Sequence, residues 1–567
     1  MNRPSIILTS AAIFFAIAFP AFSADKIEYQ YQDTKDLVGT VQDAAVLLSQ
    51  KGLSAINDFK EYGTKWYHGD AYIFVLDING NMLYHPDPAL NGSNEADLTD
   101  VDGRPIVRLM IKRALDHSKD NQGWVHYKWP QPGKLFPIWK STFVKLAVGP
   151  RGNKFVVGSG LYRMKMEKRF IVDAVDDAAT KISTAGLKAF DELGDRNHNF
   201  FLGNTYIFVD DYKGVELLNP AFPELVGKDL SNLKDANGEY MVRDYVALAS
   251  KEGSGWIDYY WPRPEESIPS KKSTYVKRAD FMNAWVVVGC GYYFGERKGT
   301  AGAQMNSGQL ASFVGDAASL IAHKGEAAFA DLRQADSKWY NSDNYIFVWD
   351  MNGVRVVYPP DASMEGQNVL DLKDSQGRPI GRSFYAAAGN ASNEGWVYYL
   401  WPRPGDVYDS WKATFLKRVT APSHKEYLVG SGVYDMKLDR EMIVERVNKA
   451  AALIEREGRQ AFDKLRDRSG DFVFMDNYVF VETLSGVEVV NPGFPNLEGK
   501  NLIDYQDDSG RKIVKEYLDL ADRDGAGWTE YNWPKPGRSV PSRKQTYVKK
   551  VTVNGETFVV GCGAYLE

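Results

Sequence analysis

The apolar positions of the chain alternate between two kinds of pattern. Between residues 37 and 48 they follow helical spacing, and comparable runs recur three more times along the chain. Each helical run is followed by short segments rich in aromatic and β-branched residues, which turn residues separate. Such segments favour strands of an antiparallel sheet. The pattern therefore predicts an α+β fold: a long N-terminal helix packed on an antiparallel β-sheet, repeated four times.

A glycine follows each helical run, and these glycines are Gly52, Gly186, Gly325 and Gly458. Taken as part of the helical pattern, each glycine costs about 1 kcal/mol relative to alanine. Its recurrence in all four copies predicts that another element approaches the helix closely at this point.

Internal repetition is the strongest signal in the sequence. A strand-like word recurs as Tyr72-Ile73-Phe74-Val75, Tyr206-Ile207-Phe208-Val209, Tyr345-Ile346-Phe347-Val348 and Tyr478-Val479-Phe480-Val481. A predicted hairpin turn follows each word and contains Gly80, Gly214, Gly353 or Gly486. Further on, the word Gly-Trp-x-x-Tyr-x-Trp-Pro-x-Pro begins at Gly123, Gly255, Gly395 and Gly527. Each copy closes on Val-Gly-(Ser/Cys)-Gly-x-Tyr.

The copies are of two types in the order A-B-A-B. Copies one and three close with Gly-Ser-Gly, and copies two and four close with Gly-Cys-Gly. Cys290 and Cys562 lie 272 residues apart, as do Tyr127 and Tyr399, which indicates a duplicated pair. A glycine-rich stretch from Gly299 to Gly308 is predicted to join the halves. The predicted modules are module 1 (24–165, type A), module 2 (166–296, type B), module 3 (297–437, type A) and module 4 (438–567, type B).

The N-terminus indicates the compartment in which the protein works, and the composition excludes some classes of partner. Arg3, an apolar run and small residues before Ala24 predict a secretory signal over 1–23, cleaved between Ser23 and Ala24. The mature protein is therefore expected to be periplasmic or secreted. A net charge of -6 excludes a basic field that recruits nucleic acid, and a 44% hydrophobic content excludes a mainly disordered chain.

The order of these words resembles the Cache family, and most closely its single-Cache modules of type 2. The resemblance rests on the helix, the Tyr-Ile-Phe-Val strand, the Tyr-x-Trp-Pro-x-Pro word, a Lys-x-Thr word and the closing Val-Gly-x-Gly-x-Tyr. It covers nearly all of the mature chain. It implies PAS-like sheets that hold small ligands, often short carboxylates, in the extracytoplasmic part of membrane receptors.

The Tyr-x-Trp word is the best candidate for a ligand site. Alternate residues of a strand share a face, so the tyrosine and tryptophan point the same way. A lysine follows each tyrosine by thirteen residues, which suits a hairpin that returns it beside the aromatic pair. Lysine supplies charge, tyrosine a hydroxyl, and tryptophan a wall against water. The candidate ligand-binding residues are Tyr127, Trp129, Lys140, Tyr259, Trp261, Lys272, Tyr399, Trp401, Lys412, Tyr531, Trp533 and Lys544.

Two alternatives for these residues stay open. A tyrosine and a tryptophan on one strand face are often ordinary core, and a hairpin lysine is often solvated. A second lysine set has the opposite parity, so only one set is expected to reach the ligand; it consists of Lys145, Lys277, Lys417 and Lys549. The first set is favoured because the threonine two residues after each lysine shares its face. The two cysteines are expected to be small buried thiols behind the pocket, and their exchange with serine is hypothesised to tune two pocket types.

The sequence therefore predicts an extracytoplasmic binding or sensing protein for small molecules, in particular short carboxylates, that presents its ligand to a membrane receptor. The alternative is a periplasmic interaction scaffold without turnover. An enzyme is not expected, because no acid–base constellation recurs. The seven histidines do not recur between copies, so neither a metal site nor a cofactor is predicted.

Overall fold

The computed structural model describes residues 28–566, with gaps at 132–134, 197, 265, 267, 298–304, 342, 405, 508 and 539. The predicted signal over 1–23 and most of the predicted glycine-rich joint lie outside the described residues. The exact boundaries between the modules remain predictions.

Each module contributes one long helix, shorter helices and one main sheet. Module 1 contains α1 (Gln32–Lys51), α2 (Ile56–Phe59), α3 (Ile106–Ala114), β1 (Tyr67–His68), β2 (Ala71–Tyr72), β3 (Phe74–Asp77), β4 (Met82–Tyr84), β5 (Gln122–Pro130), β6 (Pro137–Val148) and β7 (Lys154–Tyr162). Module 2 contains α4 (Lys168–Ala185), α5 (Ala189–Leu193), α6 (Met241–Glu252), β8 (Phe201–Leu202), β9 (Thr205–Asp211), β10 (Glu216–Leu218), β11 (Ser254–Pro262), β12 (Pro269–Phe281) and β13 (Ala284–Arg297).

The second half repeats this arrangement. Module 3 contains α7 (Ser307–Lys324), α8 (Ala328–Arg333), α9 (Ile380–Ala387), β14 (Tyr340–Asn341), β15 (Asn344–Tyr345), β16 (Phe347–Asp350), β17 (Arg355–Val357), β18 (Glu394–Pro402), β19 (Asp409–Thr420) and β20 (Glu426–Tyr434). Module 4 contains α10 (Arg440–Glu457), α11 (Ala461–Arg466), α12 (Ile513–Asp524), β21 (Val473–Phe474), β22 (Asn477–Thr483), β23 (Glu488–Val490), β24 (Ala526–Pro534), β25 (Pro541–Val553) and β26 (Glu556–Tyr565).

All four main sheets share one strand order. In module 1 it is β4-β3-β7-β6-β5, and every pairing is antiparallel. Strand β3, which carries Phe74 and Val75 of the Tyr-Ile-Phe-Val word, therefore lies inside the sheet between β4 and β7, and the Tyr-x-Trp strand β5 forms one edge. The predicted α+β class and the long helix packed on an antiparallel sheet are confirmed.

The sheet of each module is covered on both faces. In module 1, Leu37, Val41 and Leu48 of α1 pack with Ile73 and Val75 in one apolar cluster. The opposite face carries a second cluster, in which Ile106 and Met110 of α3 join Phe74, Val125 and Tyr127. Because neighbouring residues of a strand point to opposite faces, one Tyr-Ile-Phe-Val word supplies both clusters.

The recurrent glycines terminate the long helices, and another element approaches three of the four, as predicted. Gly52, Gly186, Gly325 and Gly458 follow the last residues of α1, α4, α7 and α10 with φ between 58° and 61°. A Cβ at Gly52, Gly325 or Gly458 would lie 3.6, 3.4 or 3.3 Å from Pro150, Pro422 or Asn554, whereas a Cβ at Gly186 would meet no atom within 4 Å. The backbone conformation requires glycine here, because side chains disfavour positive φ.

No helix in the described part of the chain has the length and apolar character needed to cross a membrane.

The hairpins of the type A modules contact the type B modules of the other half. Phe136, between β5 and β6, packs on Trp533 and Phe494 of module 4, with ring centroids 4.9 and 5.3 Å away. Tyr408 of module 3 lies 5.8 Å from Trp261 of module 2. Two hydrogen bonds hold this second contact: Lys228 Nζ donates to the Val407 carbonyl (3.1 Å) and the Asp409 amide donates to Glu224 (3.1 Å). The two halves are thus joined by a reciprocal pair of contacts.

We expect Phe136→Ala to loosen module 4 although the substitution lies in module 1. Loss of this half-buried ring should reduce local stability by about 1–2 kcal/mol, which corresponds to roughly 5- to 30-fold faster amide exchange in β24 and β25. Hydrogen–deuterium exchange measures this, with Tyr62→Ala, whose ring is 69% exposed, as the control. Unchanged exchange in module 4 would show that the hairpin contact carries no stability.

Candidate ligand-binding site

The sheet register pairs the predicted tyrosine and lysine directly in every module. Tyr127 of β5 lies opposite Lys140 of β6, and the same pairing occurs between Tyr259 and Lys272, Tyr399 and Lys412, and Tyr531 and Lys544. The threonine two residues after each lysine bonds the tyrosine hydroxyl, at 2.9 Å between Tyr127 and Thr142. The partner tryptophan lies two residues further along the same face: Trp129, Trp261, Trp401 and Trp533.

The four lysines are fully buried, each with at most 1% of its surface exposed. Each ammonium donates to the hydroxyl of the tyrosine that opens the Tyr-Ile-Phe-Val word. The donor–acceptor distances are 2.8 Å from Lys140 to Tyr72, 3.1 Å from Lys272 to Tyr206, 2.7 Å from Lys412 to Tyr345 and 3.2 Å from Lys544 to Tyr478. The ammonium also lies over the ring of that tyrosine, 4.2 Å from its centroid in module 1. Tyrosine hydroxyls and ring faces therefore replace part of the water that the charge has lost.

Among the described residues, none of these four lysines has a carboxylate within ion-pair distance. Burial consequently lowers their pKa values: to about 7 for Lys140 and Lys272, to about 8 for Lys544, and well below the ordinary value for Lys412. A buried cation without a counter-ion is costly, and an entering anion would relieve that cost.

The second lysine set lies on the other side of the strand. Lys277 Nζ pairs with Asp176 of α4 at 2.7 Å, and Lys417 Nζ pairs with Glu394 at 2.6 Å. Lys145 and Lys549 donate to Gln122 and Asn448. These side chains are not buried in the pocket, as the parity argument predicts.

Both cysteines are free, buried thiols on the face of the sheet that the long helix covers. Cys290 packs with Val175 and Ile182 of α4, and burial raises its pKa to about 12. In β13 the thiol is on the face opposite Lys272, so it does not line the pocket. The hypothesis that the serine–cysteine exchange tunes the pocket stays a prediction without a direct contact to support it.

Sequence reasoning missed two groups of pocket residues. The first group consists of tyrosines that surround the lysine. They open the Tyr-Ile-Phe-Val word (Tyr72, Tyr206, Tyr345 and Tyr478) or end the closing Val-Gly-(Ser/Cys)-Gly-x-Tyr word (Tyr162, Tyr293, Tyr434 and Tyr565). The second is the position two residues after the turn glycine, which is Met82, Glu216, Arg355 and Glu488 in modules 1 to 4. All four of the latter side chains are buried. Their signal in the sequence is a change of charge at one position of an otherwise repeated word.

The space between the pocket side chains is small. A cavity of about 20 Å³ in module 2 is lined by Lys272, Glu216 and Trp261, and one of about 20 Å³ in module 3 by Arg355, Tyr358 and Trp401. Such a volume holds about one water molecule. Binding of an organic ligand therefore requires the aromatic side chains or the neighbouring hairpin to move.

We expect Lys140→Met to stabilise the protein at neutral pH. Because the pKa of Lys140 is about 7 in the folded protein against 10.5 for the ordinary side chain, the unfolded chain binds more protons between these pH values. The contribution of Lys140 to stability thus rises with pH, by at most about 1.4 kcal/mol per unit. The gain in Tm from Lys140→Met should be largest near pH 7 and shrink toward pH 10 in calorimetry.

The matched control for this prediction is Lys145→Met on the same strand. It removes an ammonium that bonds Gln122 on the other side of the strand, so its effect on Tm should not shrink with rising pH. The same trend in both variants would contradict the assignment to the buried ammonium.

Known proteins similar to this chain are sensory proteins. The methyl-accepting chemotaxis protein McpP of Pseudomonas putida is 29% identical over 176 residues, which is 29% of this chain and 31% of McpP. The sensor histidine kinase MctS of Rhizobium johnstonii is 33% identical over 143 residues, 25% of this chain and 26% of the kinase. The matches thus span about a third or less of the length of these relatives.

Two solved structures similar to the chain each match about one module. A periplasmic sensor domain of a chemotaxis protein is 30% identical, with a TM-score of 0.19 and coverage of 22% of this chain and 90% of that domain. A Cache chemosensory domain described for carboxylic acid recognition is 27% identical, with a TM-score of 0.20 and coverage of 22% and 92%. A family model described as "Cache domain" matches residues 55–188, 195–299, 332–455 and 455–567. Because these four matches cover most of the sequence, the chain belongs to the Cache-domain family.

Proposed function

We propose that the protein is an extracytoplasmic binding protein whose pockets take short carboxylates at the buried lysine. The observation that carries this proposal is the same fully buried ammonium in four sheets, held by tyrosine hydroxyls and without a carboxylate in ion-pair distance among the described residues. A ligand carboxylate would supply the missing counter-charge. Lysine, tyrosine and threonine donors around one point suit an oxygen anion better than a neutral or cationic ligand.

The sensory relatives support this proposal at a coarser level. The two relatives are a methyl-accepting chemotaxis protein and a sensor histidine kinase. We therefore propose that this chain binds its ligand outside the cytoplasm and presents it to a membrane receptor. No enzyme family is indicated by the Cache-domain match, and we propose no catalytic step.

An interaction scaffold is the second candidate. The small cavities favour it, since side chains occupy most of the space that a ligand would need. The contacts of Phe136 and Tyr408 with the site tryptophans of the opposite half favour it too. If the protein is a scaffold, the pocket side chains contribute only to packing, and no small molecule stabilises the protein.

The proposal predicts that short carboxylates raise the Tm of the protein and that each pocket lysine carries one binding event. A ligand at 100 times its Kd should add about 2.7 kcal/mol to the module that binds it. Thermal shift and calorimetric titration with acetate, propionate and larger organic acids measure this, with Lys140, Lys272, Lys412 and Lys544 changed singly to Met. We expect each substitution at a carboxylate-binding module to lower the stoichiometry by one.

The second lysine set provides matched controls, because each member lies five residues along the same strand. Lys145→Met, Lys277→Met, Lys417→Met and Lys549→Met should leave the stoichiometry unchanged. Absence of any stabilising acid, or equal losses in both sets of variants, would favour the scaffold.

A further inference from the structure

The four pockets differ in charge at one equivalent position. Two residues after the turn glycine, module 3 carries Arg355, whereas modules 2 and 4 carry Glu216 and Glu488. Module 1 has Met82 there. Each of these side chains is at most 5% exposed, so the difference lies inside the modules.

In the type B modules a second carboxyl lies beside the first. Asp210 is paired with Glu216 across β9 and β10, and Glu482 with Glu488 across β22 and β23. A tyrosine of the covering helix holds the second carboxyl: Tyr245 donates to Asp210 at 2.6 Å, and Tyr517 donates to Glu482 at 2.8 Å. The type A modules have Leu76 and Trp349 in place of these acids.

The hydrogen-bonding groups left without a partner also differ in kind. In the described structure of module 2, Oδ1 of Asp210 and Oε1 of Glu216 accept no hydrogen bond. In module 4 the two carboxyls, Glu482 and Glu488, hydrogen-bond each other. In module 3 the group without a partner is a donor, Nε of Arg355. An unsatisfied buried polar group costs about 1–3 kcal/mol, so the pockets of modules 2 and 3 favour a ligand that supplies the missing partner.

These groups lie where a ligand at the lysine would reach them. Glu216 and Lys272 line the same cavity of module 2, and Arg355 lines the cavity of module 3. In module 2, a ligand whose carboxylate meets Lys272 therefore has its other end near Glu216, the strand partner of Asp210. In module 3, Arg355 shares its cavity with Tyr345, which accepts the hydrogen bond of Lys412, so a ligand at this lysine lies near the guanidinium.

We propose that modules 2 and 4 bind a compact zwitterion, with its carboxylate at the lysine and its protonated amine at the carboxyl pair, whereas module 3 binds a plain carboxylate between Lys412 and Arg355. The lysine half of this inference rests on the proposed function. The amine half rests on the carboxyl pairs alone.

The ionisation of the carboxyl pair fits this role. Burial raises the pKa of Asp210 to about 7, and burial together with the charge of Asp210 raises the pKa of Glu216 well above its ordinary value. Near neutral pH the pair therefore keeps a proton in the absence of another cation. An entering ammonium takes the place of that proton, which is released to solvent, and the pocket gains no net charge from the exchange.

The test is calorimetric titration of the full mature chain with three sets of small probes. Acetate and propionate carry the carboxylate alone. Glycine, alanine and β-alanine carry both a carboxylate and an amine, and methylamine and ethylamine carry the amine alone. We expect a zwitterion to bind at two sites, and Glu216→Gln and Glu488→Gln each to weaken one of them by roughly 10- to 100-fold, the range for a lost charge-assisted hydrogen bond. Arg355→Gln should weaken a plain carboxylate at one site instead.

The variants keep side-chain size, and removal of a buried carboxyl charge does not require the fold to reorganise. If Glu216→Gln lowers the Tm of the protein without ligand, Asp210→Asn tests the same pair. The inference is overturned if zwitterions do not bind, if their binding is indifferent to all the carboxyl substitutions, or if the simple amines bind modules 2 and 4 equally well.

The outcomes separate this inference from the proposed function. Carboxylate binding that depends on Lys412, together with zwitterion binding that ignores the glutamates, defeats only the inference. Failure of every carboxylate-bearing probe, with or without an amine, defeats both.

Discussion

Burial of one lysine ammonium in each sheet is the constraint around which the pockets are arranged. The sheet register places the lysine opposite a tyrosine, and the tyrosine that opens the Tyr-Ile-Phe-Val word brings a second hydroxyl within 2.7–3.2 Å of the ammonium. A threonine hydroxyl hydrogen-bonds the first tyrosine. The closing tyrosine of the repeat also lies near the ammonium: in module 1 the centroid of the Tyr162 ring is 4.8 Å from Lys140 Nζ. Since hydroxyls and rings cannot neutralise the charge, the pKa falls, and the pocket remains suited to an anion.

Within this shared frame the modules differ in the charge of one buried position. The residue two positions after the turn glycine is buried in every module. Its side chain is a thioether in module 1, a carboxyl in modules 2 and 4 and a guanidinium in module 3. A buried charge dominates its surroundings because the interior screens it weakly. A duplicated A–B pair therefore offers at least two chemical environments on one backbone.

The modules are also joined across the two halves. Phe136 of module 1 packs on Trp533 of module 4, and Tyr408 of module 3 packs on Trp261 of module 2. Displacement of either tryptophan by a ligand would disturb a contact with another module. The pockets of modules 2 and 4 are consequently linked to the hairpins of modules 1 and 3 by direct packing.

Strand periodicity and a constant residue interval are local properties, so the amino-acid sequence predicted the repeat, the fold class and the pairing of Tyr127 with Lys140. It misassigned the role of Gly186, whose positive φ ends a helix, since a local pattern does not show where a helix stops. Only the tertiary structure brought Tyr72 and Glu216 to the lysines, because these residues lie 68 and 56 positions away in sequence from Lys140 and Lys272 and meet them through the order of the strands. It also decided that the lysines are buried, because burial depends on the helix and loop that cover the sheet.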